Sequence, residues 1–232
     1  MKNLSALLFL FIVGISAFAQ EQKIIMQSNY DYKKFHFGMA LDVGHYNLVN
    51  DFNDTFYQNK DILSIETDSD VGVGVSFIIP DIRLSNRLNF RHTITVKTIQ
   101  RNINYRFSAA YDGPEKVTKK VESWFVESGL HLKYRADRIN NYRAFVFFGP
   151  NIGIDMASEK DVEDEEIFKL NRTNIALEVG VGCDFYFEYF KFAPQIKYSH
   201  GLTNLIVDDG TLFTSPLEGF YSRGVQISFT FE

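Results

Sequence analysis

Apolar side chains take every second position through most of this chain, with polar or small residues between them. Alternation of this kind gives a strand two different faces, whereas a helix repeats about every 3.6 residues. Phe35, Phe37, Met39, Leu41 and Val43 alternate with His36, Gly38, Ala40, Asp42 and Gly44. The same rhythm covers 71–79, 88–97, 124–134, 175–187, 190–198 and 224–232. A further strand is expected over 142–156, although Phe145-Val146-Phe147-Phe148 blurs its facing. Beyond the N-terminus no stretch has a convincing helical period. Eight strands are expected, and the fold class is all-β.

The connections alternate in length. Segments 49–69, 108–120, 157–172 and 203–219 are long, while 80–87, 135–141 and Glu188-Tyr189 are short. Barrels of the outer membrane are connected in this way, with short turns toward the periplasm and longer loops outside. A soluble sandwich shows the same alternation but turns its apolar face inward, so polarity has to decide. One face of these strands is heavily aromatic, as interfacial girdles require. The other is rich in Gly, Ala and Ser, which suit a narrow interior. The last strand runs to Phe229-Thr230-Phe231-Glu232, so the sheet can close without a tail. Closure removes the open edge that lipid cannot satisfy. The expectation is a closed antiparallel transmembrane β-barrel of eight strands.

Composition agrees with this reading. Aromatics make up 16% of the 232 residues, with 23 Phe and 12 Tyr against one Trp. A mean hydropathy of −0.14 excludes a bundle of membrane-spanning helices. The net charge of −5 argues against a nucleic-acid module, which carries a basic face. One cysteine excludes a disulfide scaffold and a multi-cysteine metal site.

The N-terminus has Lys2, an apolar run from Leu4 to Phe18, and Ala17-Phe18-Ala19 before Gln20. This is the pattern of a secretory signal peptide, with cleavage expected near Ala19. The expected organisation is a signal peptide over 1–19, a periplasmic segment over 20–34, and an outer-membrane barrel over 35–232.

The alternation turns Asp42, Arg91, Lys97, Glu127, His131, Lys133, Asp155, Glu178, Asp184 and Lys197 inward. An eight-stranded barrel is only just wide enough for side chains to fill it. These charges are therefore expected to pair across the lumen as a structural polar network rather than to line a wide pore. No G-x-S-x-G elbow, H-E-x-x-H pair or Gly-rich phosphate loop is present. His36, His45, His92, His131 and His200 lack metal-ligand spacing with Cys183. Ser199 and His200 are neighbours, so on a strand they face opposite ways. Asp208-Asp209-Gly210 and the acidic run Glu159–Glu166 lack the spaced ligands of a calcium loop. No catalytic residue, metal or cofactor is expected.

The C-terminal half resembles the PorT family of Bacteroidetes outer-membrane proteins. The resemblance lies in Glu178-Val179-Gly180-Val181-Gly182, Asp184-Phe185-Tyr186 and Tyr189-Phe190-Lys191, then Pro194, Lys197, Ser199, Gly201-Leu202 and Asn204. Weaker pieces are Lys133-Tyr134-Arg135, Asp155-Met156-Ala157, Arg87-Leu88 and Ser222-Arg223. The resemblance implies a non-enzymatic outer-membrane component of type IX protein secretion, a system that also supports gliding motility. Its partners would be the lipid bilayer and other secretion proteins. The alternatives are a generic small barrel with a structural, surface-ligand or adhesion role, and a lipid-modifying barrel enzyme.

Overall fold

The structure, a computed structural model, describes residues 25–58, 61–109, 113–157, 170–207 and 213–232. The signal-peptide segment and the two acidic stretches at 159–166 and 208–209 lie outside the described residues. Among the described residues nine strands follow one another: β1 (Phe35–Phe52), β2 (Ile62–Ser69), β3 (Val71–Arg83), β4 (Leu88–Phe107), β5 (Lys116–Arg135), β6 (Tyr142–Asp155), β7 (Thr173–Tyr186), β8 (Lys191–Gly201) and β9 (Leu217–Phe231). A 3-10 turn at Tyr30–Tyr32 precedes β1, and a short helix, α1 (Asp54–Gln58), follows it.

All ladders are antiparallel, and eight strands close into a ring in the order β4, β3, β1, β9, β8, β7, β6, β5 and back to β4. The extra strand, β2, shares a ring position with β3. Both pair with β4, β2 at Ser69↔Arg101 and β3 at Val73↔Thr98, with Asp70 between them. The expected eight-stranded barrel is therefore found, with one wall position built from two segments.

Several strands run further than the alternation suggested. The segment 49–69, expected as a link, is mostly strand: β1 continues to Phe52 and β2 begins at Ile62. The link at 108–120 shrinks in the same way between Phe107 and Lys116. The cause is an inversion of polarity along each long strand. From Leu88 to Lys97, β4 turns Leu88, Phe90, Ile94 and Val96 outward, and buries Asn89, Arg91, Thr95 and Lys97. From Thr98 onward it turns Gln100, Asn102, Asn104 and Arg106 outward and buries Ile103, Tyr105 and Phe107. On β5 the change falls at Trp124, which pairs with Thr98. Outward residues from Trp124 to Tyr134 form the apolar band, about the 9–11 residues that a tilted strand needs to cross a bilayer. Lys116, Thr118, Lys120 and Glu122 face outward beyond it.

The wall thus crosses the membrane in its lower part and stands above it in its upper part. There, the inside is an ordinary apolar core of Leu48, Ile62, Ile65, Ile103, Tyr105, Phe107, Leu217 and Phe220. Leu170 and Leu205 come in from the long connections and join it. In this region β1 and β2 are stitched by side chains. The amides of Asn47 and Asn50 donate to the Thr67 and Ile65 carbonyls at 3.1 and 2.9 Å.

Candidate functional site

The lumen is stacked in levels, beginning at the end with the short turns, which is periplasmic in barrels of this kind. At the mouth, residues 25–34 fold across the opening. Asp31, on the 3-10 turn, faces Arg143 at 2.8 Å, Arg138 at 3.3 Å and Arg135 at 3.6 Å, and accepts a hydrogen bond from the Tyr186 hydroxyl at 3.0 Å. Partial burial pushes the Asp31 carboxyl up. Arg143, the Tyr186 hydroxyl, Arg135 and Arg138 outweigh it and hold the group below the ordinary aspartate value. The Tyr30 ring stacks on His36 at 4.2 Å, and its hydroxyl donates to Glu232 at 2.8 Å. The Met26 N–H donates to Asn141 at 2.9 Å.

Above this seal three cations meet three carboxylates. Arg91 lies 2.7 Å from Asp81 and 2.6 Å from Glu232. Lys191 lies 2.6 Å from Glu232 and 3.6 Å from Asp184, and Lys133 lies 3.0 Å from Asp184. All six side chains are almost wholly buried.

In the middle level Glu178 collects Lys197 at 3.0 Å, His131 at 2.8 Å and the Asn151 amide at 3.1 Å. Beside it Lys97 pairs with Glu127 at 2.7 Å, under the ring of Tyr46 at 3.9 Å. Asp42 takes no lysine or arginine directly among the described residues. It accepts hydrogen bonds from Ser76 and from the Gln226 amide, the latter at 2.8 Å. A cavity of about 20 Å³ remains among Arg91, Thr93, His131, Lys197 and Gln226. That volume holds roughly one water molecule.

Asp155, expected among the lumen charges, is buried, but its hydrogen bonds go to backbone. Its carboxylate accepts from the N–H of Trp124 at 3.2 Å and of Ala157 at 3.0 Å. It terminates β6 where the wall leaves the membrane. Arg101 sits at the same level over the ring of Phe125 at 5.2 Å.

The lumen is not purely polar. Phe145 and Phe147 point inward with Tyr46, Phe125 and Tyr186, while Val146 and Phe148 face out. The facing that the Phe145–Phe148 run obscured is thereby resolved. Alternation missed four groups of consequence. Asp81 lies past a register shift between Ile78 and Asp81. Asp31 precedes the first strand, and Arg138 lies in a short turn. Arg143 is the second residue of β6, where the facing was blurred.

The residues shared with the family resemblance are spread through this architecture. Glu178 and Asp184 are lumen acceptors, Lys191 is one of the cations that meet Asp184, and Tyr186 belongs to the mouth. Gly180 and Gly182 lie beneath Phe147 and Phe145. Phe185 pairs with Phe192 across β7 and β8, Phe190 stacks against Phe187, and Tyr189 is 86% exposed at the turn. A side chain at Gly201 would strike the Ser222 backbone. Asn204 fastens a long connection to β9: it accepts from the Phe220 N–H at 3.0 Å and donates to the Glu218 carbonyl at 3.0 Å. Leu202 is exposed.

Pro194 lines an outward apolar groove of about 800 Å³ with Tyr134, Ala144, Val181, Cys183 and Ile196. It opens within the apolar band, on the side that faces lipid. The outward His92 is met by Ser128 at 3.0 Å. Ser199 pairs with Glu178 and His200 with Leu177 along the β7–β8 ladder, so the two side chains lie on opposite faces. Among the described residues no cluster of three or more His, Cys, Asp or Glu has the arrangement of a metal site.

The sequence profile of the outer membrane protein beta-barrel domain matches residues 18–207. The chain belongs to that family. Its place is the outer membrane, with the apolar band in the bilayer. Among solved structures this family member is similar to Neisserial surface protein A, at 12% identity over 85% of this chain and 98% of that one, with a TM-score of 0.43. It is also similar to the outer membrane protein OprG from Pseudomonas aeruginosa, at 14% identity over 84% and 93%, with a TM-score of 0.45. A third is the attachment invasion locus protein Ail of Yersinia pestis, at 8% identity over 86% and 98%, with a TM-score of 0.36. No curated protein matches the chain.

Proposed function

We propose that this barrel is closed and non-enzymatic, and that it works by contact at its two ends rather than by passage through its lumen. The observation that carries this is the filling of the interior. Arginine–carboxylate pairs seal the mouth, buried ion pairs and hydrogen-bonded carboxylates occupy the lumen above it, and an apolar core fills the part outside the membrane. The role of the charged side chains is then structural. They hold the wall together where an eight-stranded ring leaves room for little besides side chains. Contact at the outer end would run through the long connections, as in a surface-ligand or adhesion role. Exchange of those connections tests it: adhesion or ligand binding should change while assembly in the outer membrane does not.

A narrower reading follows from the resemblance to the PorT family. The contact would then be with other proteins of type IX secretion, and the chain would be required for export of cargo across the outer membrane. The three arginines around Asp31 at the short-turn end favour it, since that is the end a periplasmic partner meets. Deletion of the gene decides it. Loss of cargo secretion and gliding supports this reading, and intact secretion removes it.

A further inference from the structure

The guanidiniums at the periplasmic mouth outnumber the carboxylate they hold. Among the described residues Asp31 is the one carboxylate that Arg135, Arg138 and Arg143 share, and further donors of Arg135 and Arg138 reach the Asn86, Asn140 and Met26 carbonyls and the Asn141 side chain. The Nε atoms of Arg135 and Arg143 are buried without a hydrogen-bond partner among the described residues, and Arg135 is 2% exposed. Neighbouring carboxylates are already committed: Asp184 to Lys133 and Lys191, and Asp137 to Arg87 at 2.7 Å. Lys33 and Lys34 add exposed positive charge at the rim.

We propose that Arg135, Arg138, Arg143 and Tyr186 form a carboxylate-recognition site that Asp31 fills from within the chain. In trans, an acidic segment of a periplasmic protein takes its place by displacing residues 25–34. The chemistry of the ligand is set by the group the site already holds. Planar guanidiniums match a carboxylate with paired donors, and Tyr186 supplies one more. The aromatic next to Asp31 also contributes, since Tyr30 stacks on His36 and lies edge-on to Tyr186 at 5.9 Å. The best external ligand therefore carries an aspartate or glutamate beside an aromatic residue. The internal competitor is tethered, so it acts at an effective concentration on the order of millimolar. A partner gains access by supplying more contacts than one short turn. This inference rests on the reading of the barrel as a contact-making protein.

The probe is a synthetic peptide with the sequence of Ile25–Lys34, titrated against the full-length protein in detergent. A spin label at Ser28→Cys, in a Cys183→Ser background, reports release of the internal segment. In the Asp31→Asn variant the peptide should bind at least tenfold more tightly than in the parent, because its competitor is weakened. A peptide with Asn in place of aspartate should bind neither. Arg143→Gln should abolish binding, and Arg138→Gln, in the turn between β5 and β6 rather than in the wall, gives the same reading if the first fails to assemble. Equal binding of the aspartate and asparagine peptides, or equal binding to parent and Asp31→Asn, overturns the proposal. A protein that is closed to solutes yet ignores the peptide refutes this site and leaves the contact reading standing.

Discussion

The ring of Phe145 lies across the backbone of Gly182 on the neighbouring strand. The two are directly paired, and a Cβ on Gly182 would meet that ring while lying 2.8 Å from both the Gln195 Cβ and the Pro194 carbonyl oxygen. Phe147 covers Gly180 and Tyr46 covers Gly224 in the same way. These three rings enter the lumen at places where the adjacent strand gives up its side chain. Gly182→Val should therefore destabilise the barrel by about 1–3 kcal/mol, the usual cost of overpacking. The check is a lower urea midpoint, read by the shift in gel mobility between folded and heated protein.

The outward face makes a separate demand. Val179 and Phe229 are 53% and 40% exposed, on the lipid side of β7 and β9. A lysine at the bilayer midplane costs about 2–4 kcal/mol. Val179→Lys and Phe229→Lys should each reduce the amount of folded protein in the outer membrane, measured by fractionation. Glu122→Lys, outward but beyond the apolar band, should leave it unchanged.

The Asp31 seal carries its own pH dependence. Its folded carboxyl lies below the ordinary aspartate value, so the contribution is present above the unfolded value, about 3.9. It is lost as pH falls through the depressed folded value. A spin label at Ser28→Cys should stay immobile from pH 7 to about pH 5 and gain mobility only below about pH 4. Asp31→Asn should already be mobile at pH 7, with no further step attributable to this group.

Glu178 is the acceptor on which the middle of the lumen depends. Glu178→Gln leaves Lys197 facing His131 without its counter-charge. Removing one partner of a buried pair costs about 3–5 kcal/mol, whereas replacing both by apolar groups is often neutral. The unfolding midpoint should fall sharply in Glu178→Gln and recover in the double variant Glu178→Leu with Lys197→Met.

The membrane-crossing parts of the wall are legible in the sequence because side-chain alternation is fixed by strand geometry. Val71–Ile79 on β3 and Ile175–Phe185 on β7 carry their facing in plain view. The upper wall is harder to see. Its outward Gln100, Asn102 and Asn104 look like loop, and its inward Ile103 and Tyr105 have the polarity of a soluble protein. Asp81 escapes because the register shifts just before it, after which counting by twos fails. Phe145 and Phe148 cannot be assigned from pattern when both faces carry aromatics. Asp31 is beyond local reasoning altogether, since its partners lie on a turn and three strands more than a hundred residues away. The aromatic excess accordingly has two destinations: the lipid girdle, as with Trp124 and Tyr134, and a lumen in which glycines make room.

The account turns on a lumen filled from the Asp31 seal to the apolar core around Tyr105. Purified protein reconstituted into a planar bilayer tests this most directly. The expected record is a silent membrane, with no stepwise conductance at neutral pH. Steady single-channel steps from the folded, unmodified protein would contradict it.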